Sequence, residues 1–236
     1  MSTTLTAISM QGLAIAVLPA AVVIGILFRW SADGKTAIIA TLRMLIQLLL
    51  IGYVLIYIFE TDRPVFIIAV LTVMITVASW IAIRPLQKKQ PQMYFNSLVA
   101  ISIGSLPTLA LVSQVVIDVQ PWFSPRFVVP LAGMIFAGSM NTVSLAAERL
   151  QSEIDNKTPY IEARRIALQA SLIPITNSLF AVGLVSLPGM MTGQILSGIS
   201  PLVAAKYQIV VMTMLFGASG ISAAVYLVLA NRGVRS

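Results

Sequence analysis

The sequence predicts an all-α polytopic membrane protein of about seven transmembrane helices, and three observations predict it. The 236 residues are 58% hydrophobic and only 10% charged, where a soluble domain has roughly a quarter of its residues charged. Mean hydropathy is +0.94. The apolar residues gather into runs long enough for a helix of roughly 20 residues to cross hydrocarbon. Transmembrane β-strands would instead read as short alternating segments. Backbone groups in lipid must be bonded internally, so long apolar runs mean helices.

The runs give seven candidate spans, over residues 8–28, 36–59, 64–83, 94–117, 127–147, 167–187 and 202–230. The sixth is expected to continue through a break towards residue 198. Each is long enough to span with some tilt. Pro19, Pro107, Pro130 and Pro174 lie inside these runs and bend them. The whole chain, 1–236, reads as a single transmembrane permease domain with one sizeable loop, 148–166. That loop is expected to form one or two short amphipathic helices, interrupted near Asn156–Pro159.

Loop charges set the orientation. Arg29, Lys35, Arg84, Lys88, Lys89, Arg149, Lys157, Arg164, Arg165, Arg232 and Arg235 fall on one side if the helices alternate. Only Arg63 and Arg126 fall on the other. Bases mark the cytoplasmic side, so the N-terminus is expected outside and the C-terminus in the cytoplasm, in the inner (plasma) membrane. The net charge of +7 is thereby assigned to orientation and not to nucleic acid. Arg29 is the first charged residue, and the lack of a basic n-region argues against a cleaved signal peptide.

The absence of Cys and His removes thiolate chemistry, disulfides and the usual zinc and haem ligands. No metal site is expected. All eight acids, Asp33, Glu60, Asp62, Asp118, Glu148, Glu153, Asp155 and Glu162, lie outside the spans. Proton-coupled transport and general acid–base catalysis both want such a group within reach of the solute. No GxxxxGK[ST] phosphate loop is present. The chain is therefore expected to be no enzyme, to bind no cofactor, and to draw any ATP-derived work from a partner.

Two bases sit within spans. Arg43 lies roughly 10 Å deep at 1.5 Å per residue, with Gln47 one turn on along the same face. It reads either as a cation facing a pathway or as a side chain snorkelling to the interface. Lys206 reads as snorkelling at the outer end of the last span. The stretch Gly183–Pro201 carries four glycines and two prolines in membranous sequence. Pro188 breaks the helix, and Gly189 and Gly193 are spaced for close helix approach. Carbonyls freed beside Ser186, Thr192 and Gln194 suit a polar cavity on a translocation path. The same stretch also reads as a packing kink followed by an outer loop. Asn141 completes the candidate path residues, with hydrogen bonding between helices as its plainer role. Met190, Met191, Met212 and Met214 read as apolar filler before soft-metal ligands.

These residues resemble a known family. The run from Gly183 to Leu196, followed by Ser200-Pro201 and Lys206-Tyr207-Gln208-Ile209, resembles the signature of FetB-type permeases, bacterial relatives of the plant aluminium-tolerance half-transporters. Arg43-Met44 with Gln47-Leu48 is similar to the family's second span. Pro130-Leu131, Gly133-Met134, Ser139-Met140-Asn141 and Glu148-Arg149-Leu150 are similar to its fifth span and following loop. The resemblance implies the membrane subunit of an ABC transporter, exporting iron or a metal-related solute. It implies ATP on a separate cytosolic ATPase and two copies of the permease. It implies a coupling helix in the fifth loop, which falls here on Glu162, Ala163, Arg164 and Arg165. In the family a Gly-Ala step follows the Glu-Ala pair, and here Arg164-Arg165 follows instead. The alternative is a transporter or channel working without ATP.

Overall fold

A computed structural model describes residues 9–30, 34–60, 63–86 and 90–234. The expected loop residues Asp33, Asp62, Lys88, Lys89 and Arg235, the Arg232 side chain, and residue 8 of the first span lie outside the described residues. The chain forms two compact units, Met1–Glu60 and Thr61–Ser236. Among the described residues the regular elements are helical, and six helices are long and apolar enough to cross a membrane.

The first unit holds α1 (Met10–Ala16), α2 (Leu18–Trp30) and α3 (Gly34–Phe59). The single first span expected from sequence is two successive helices, parted by a turn at Val17. Pro19 supplies no N–H to the turn before it, which weakens the ladder there. The Ser9 side-chain oxygen accepts from the Gly12 N–H at 3.1 Å and caps α1. α3 packs on α2. Gly34 permits this, since a Cβ there would fall on the Phe28 ring. Leu48, Leu49, Leu50, Tyr53 and Tyr57 are exposed around α3, as expected where lipid is the solvent.

The second unit is a bundle of α4 (Pro64–Ala82), α5 (Pro91–Ala110), α6 (Pro125–Asp155), α7 (Tyr160–Ala181), α8 (Gly189–Leu196) and α9 (Pro201–Val234). α5, α6, α7 and α8 all pack on α9, and α4 packs on α5 and α6. Phe136, Ile101, Ile135, Val143 and Leu227 fill its interior. Between lipid-bathed helices the hydrophobic drive is absent, and close packing by small residues replaces it. Gly104 seats α5 directly on Ala218 and Ser222 of α9, and Gly138 seats α6 against Leu215 and Ser219. Ser105 bonds Ser139 at 3.0 Å across α5 and α6, and the Ser97 hydroxyl donates to the Ser79 carbonyl of α4 at 3.2 Å. Pro107 lies inside α5, and the helix continues beyond it as a π turn, Leu111–Val116. Pro125, Pro64 and Pro91 start their helices at the position where a missing N–H costs nothing.

Two boundaries differ from the expectation. The loop expected over 148–166 is drawn into its flanking helices: α6 runs on to Asp155, and α7 begins at Tyr160. Residues 139–155 contain neither Gly nor Pro to stop the helix. The interruption expected near Asn156–Pro159 is where the chain turns. The span expected over 167–187 corresponds to α7, which ends at Ala181. Its first turns carry Glu162, Arg164 and Arg165, and it is not among the six apolar helices.

Candidate functional site

The break after α7 is built by glycine and proline. Val182 turns extended, and Gly183 follows at φ +85°, a conformation that favours glycine. Its N–H donates to the Ser186 carbonyl at 3.0 Å, while the Val185 and Ser186 N–H groups return to Ala181. Pro188 caps α8: its carbonyl accepts from the Thr192 N–H at 3.0 Å and from the Thr192 hydroxyl at 3.2 Å. Gly198, at φ +89°, ends α8 and turns the chain into α9.

Two hollows flank this short helix, and a third lies at the break before it. The largest, about 450 Å³, is lined by Arg126, Pro130 and Met134 of α6, Met190 and Gln194 of α8 and Tyr207 of α9, among others. Pro130 provides no N–H to the carbonyl of Arg126 one turn earlier. The Gln194 Oε1 is buried and has no hydrogen-bond partner among the described residues. A second, about 320 Å³, lies between the end of α7, α8 and α9, with Met191, Gln208 and Met212 on its wall. The Gln208 Oε1 is likewise buried and unpartnered among the described residues. A third, about 420 Å³, takes in Asn177, Ser186 and Pro188.

Ser186 and Pro188 thus line the third hollow, and Gln194 lines the largest. Thr192 turns back on the carbonyls of Leu187 and Pro188. Gly189 and Gly193 are exposed, and a Cβ at either would meet nothing within 4 Å. The close helix approach read from their spacing is thus not made within the chain. Asn141 is exposed on α6, away from Pro130 by three turns. Arg43 and Gln47 are exposed on α3 of the first unit. The methionines divide: Met190 faces the largest hollow, Met191 and Met212 the second, and Met214 is core. Among the described residues no three His, Cys, Asp or Glu side chains gather.

At the other end of the bundle, the α6–α7 turn is held tightly. Glu153, buried, pairs with Arg149 at 2.7 Å and accepts from the Thr158 hydroxyl at 3.0 Å. Lys157 adopts φ +63°, and its N–H donates to the Ile154 carbonyl at 2.9 Å. The Tyr160 hydroxyl donates to the Leu227 carbonyl, tying the turn to α9. Burial raises the Tyr160 phenol above its usual value, and the nearby Arg164 partly opposes this. Glu162 accepts twice from Arg165, at 2.6 and 3.1 Å, and this bond holds its carboxyl below the usual range. Ala163 is fully buried, whereas Arg164 and Arg165 line a surface groove with Ile161, Leu168 and Val228. A further hollow of about 210 Å³ lies nearby, walled by Gln90, Gln92, Asn96, Gln151 and Tyr226.

Sequence reasoning placed none of Gln208, Tyr207, Arg126 and Tyr226 at a site, and did not foresee this amide-lined hollow. Their signal was present in one form, as amides and tyrosines at the ends of apolar runs. Their convergence depends on which helix faces which.

Residues 10–234 match the family described as "Uncharacterised protein family (UPF0014)". The chain is 37% identical over 190 residues to the UPF0014 membrane protein slr1647 of Synechocystis sp., covering 73% of each chain. It is 34% identical over 195 residues to the probable iron export permease protein FetB of Escherichia coli, covering 76% of this chain and 74% of the relative. It is 33% identical over 207 residues to the protein ALUMINUM SENSITIVE 3 of Arabidopsis thaliana, covering 81% and 74%. No solved structure matches the chain. By the extent of these matches and its apolar helices, this multi-pass membrane protein belongs to the UPF0014 family.

Proposed function

We propose that residues 1–236 act as the permease subunit of an ABC transporter of the inner membrane, exporting a metal of the iron type or a metal-related solute. The chain itself is no enzyme in this reading, and a cytosolic ATPase supplies the work. The observation that carries it is the similarity, over about three-quarters of both chains, to a protein named as a probable iron export permease. The broken segment at Gly183–Pro188 supports it, because irregular backbone at membrane depth belongs where a cavity is lined.

In the proposed mechanism the N-terminus lies outside, the C-terminus lies in the cytoplasm, and the α6–α7 turn faces the ATPase. Glu162, Arg164 and Arg165 present the docking charges, while Ala163 packs the turn against the bundle. ATP binding closes two ATPases beneath two copies of the permease, and the turn moves with them. Such coupling needs an element whose position differs between two global states. Ser186, Pro188, Gly189, Thr192, Gly193 and Gln194 contribute to the path at the broken helix, and Asn141 on α6 is proposed with them. Arg43, with Gln47 a turn away, suits a complexed metal or an anionic metabolite better than a bare cation. Transport of a bare ion at the parent rate by the Arg43→Ala protein would count against that assignment.

Reconstitution with a candidate ATPase in liposomes, screening which solutes stimulate hydrolysis, tests the whole reading. A solute-stimulated ATPase activity that depends on this chain supports it. Solute flux without ATP, and no ATPase held on purification, would replace it with an ATP-independent transporter or channel.

A further inference from the structure

One face of α9 carries an unusual set of polar atoms. Gln208 and Tyr226 are 18 residues apart, five whole turns of 3.6 residues, so they share a line along the helix. Ser219 and Ser222 fall within about 40° of that line at 100° per residue. All four residues are buried, the two serines completely. The Gln208 Oε1, Ser219 Oγ and Ser222 Oγ have no hydrogen-bond partner among the described residues.

Other hydroxyls in these helices behave differently. Ser79, Thr108, Thr142 and Thr213 each donate to the carbonyl one turn back, at 2.7 to 3.0 Å, the usual resting place of such a group in a helix. Ser219 and Ser222 instead face Gly138 of α6 and Gly104 of α5, residues with no side chain to answer them. Unpartnered polar groups at full burial call for an explanation. Packing alone is served as well by alanine.

The line also joins two hollows. Gln208 and Met212 wall the 320 Å³ one beside α8. Tyr226 and Ala230 wall the 210 Å³ one beside the α6–α7 turn, among Gln90, Gln92, Asn96 and Gln151. From Gln208 to Tyr226 is about 27 Å at 1.5 Å per residue, close to the roughly 30 Å of the hydrocarbon core. The polar residues along this line, with Met212 and Leu215 between Gln208 and Ser219, offer amide, hydroxyl and phenol groups and no carboxylate or base.

We propose that the Gln208–Tyr226 face of α9, closed at Ser219 and Ser222 against Gly138 and Gly104, is the occluded translocation seam of the second unit. It takes a small hydrogen-bonding solute on neutral oxygen groups, without a fixed counter-charge. The proposal rests on the permease reading and adds the route. Separation of α5 and α6 from α9 would hydrate the two serines, whereas in the closed packing they wait without partners.

The chain contains no cysteine, so an introduced cysteine is the one thiol of the purified, labelled chain. Ser219→Cys, Ser222→Cys and Gln208→Cys, with Ala132→Cys in the sealed interior of α6 as the control, are expressed as the full chain in membranes with its native partners. Vesicles of both orientations are treated with sulfonatoethyl methanethiosulfonate, a water-soluble thiol reagent, with and without ATP. The seam predicts that the cysteines at 219 and 222 react at least tenfold faster than the one at 132. Rates at both within twofold of the control overturn it. ATP dependence is read separately. Fast but ATP-insensitive labelling keeps the seam and removes the ATP-driven permease, and ATP-sensitive labelling at position 208 alone removes the seam and keeps the permease. Thermal unfolding of each variant monitors folding, and if Ser222→Cys fails to fold, Ser219→Cys decides alone.

Discussion

Replacing Gly104 by alanine tests how tightly α5 sits on α9. The added Cβ would fall on the Ser222 Oγ and lie 2.7 Å from both the Ala218 carbonyl oxygen and the Ser222 backbone nitrogen. The hydroxyl can rotate away, but the two backbone atoms cannot. Ordinary contact begins at 3.4 Å, so the helices must part by roughly 0.7 Å along the seam, and overpacking of this kind costs about 1–3 kcal/mol. Equilibrium unfolding of the purified protein by SDS titration in mixed micelles should therefore show Gly104→Ala destabilised by that amount. Adding Ser222→Ala removes only the hydroxyl clash and should recover less than half of the loss. A Gly104→Ala protein within about 0.5 kcal/mol of the parent, the usual range for substitutions that disturb nothing, would refute the packing of α5 on α9.

Four further outcomes follow from local geometry. Gly183→Ala should lose about 1–2 kcal/mol, because the residue sits at φ +85° and left-handed backbone costs an L-residue that much. Gly189→Ala and Gly193→Ala lie in open space on α8 and should instead hold or raise the thermal midpoint by removing helix glycines. Tyr160→Phe should cost about 1 kcal/mol, the net worth of one hydrogen bond. Burial raises the Tyr160 phenol, so its stabilisation is complete below the ordinary tyrosine value near 10 and is lost as pH rises through the folded value. A spectrophotometric tyrosinate titration of parent against Tyr160→Phe should place that one step late. For Glu162, the bond from Arg165 lowers the folded value, so the pair's contribution is present above the ordinary carboxylate range and lost as pH falls through the folded value. Glu162→Gln and parent should then converge in stability at low pH and in high salt, where exposed pairs are screened.

The long apolar runs made the spans legible, because no other structure satisfies that much backbone in lipid. The breaks were legible too. Pro188 announced the break after α7, though the helix stops earlier, at Ala181 before Gly183, and Asn156–Pro159 announced the turn after α6, since these residue types oppose helix continuation wherever they sit. The division of the first run at Val17 was less so, because Pro19 marks a weak ladder without fixing which residue turns. What stayed hidden was pairing between helices. Ser105, Ser139, Ser219 and Ser222 are single small residues in greasy sequence, each looking like filler until α5, α6 and α9 are brought together. Asn141 carried a stronger chemical signal than any of them, yet its place on α6 leaves it exposed.

α6 extends 31 residues from Pro125 to Asp155, about 46 Å at 1.5 Å per residue. The hydrocarbon it crosses is roughly 30 Å thick. About a third of this rod exceeds an untilted hydrocarbon crossing, and the turn at Asn156–Pro159 is its tip. Its opposite end forms the wall at Arg126, Pro130 and Met134. Torque applied by anything gripping the tip reaches that wall through continuous helix, with Pro130 as the one internal proline where the rod can flex.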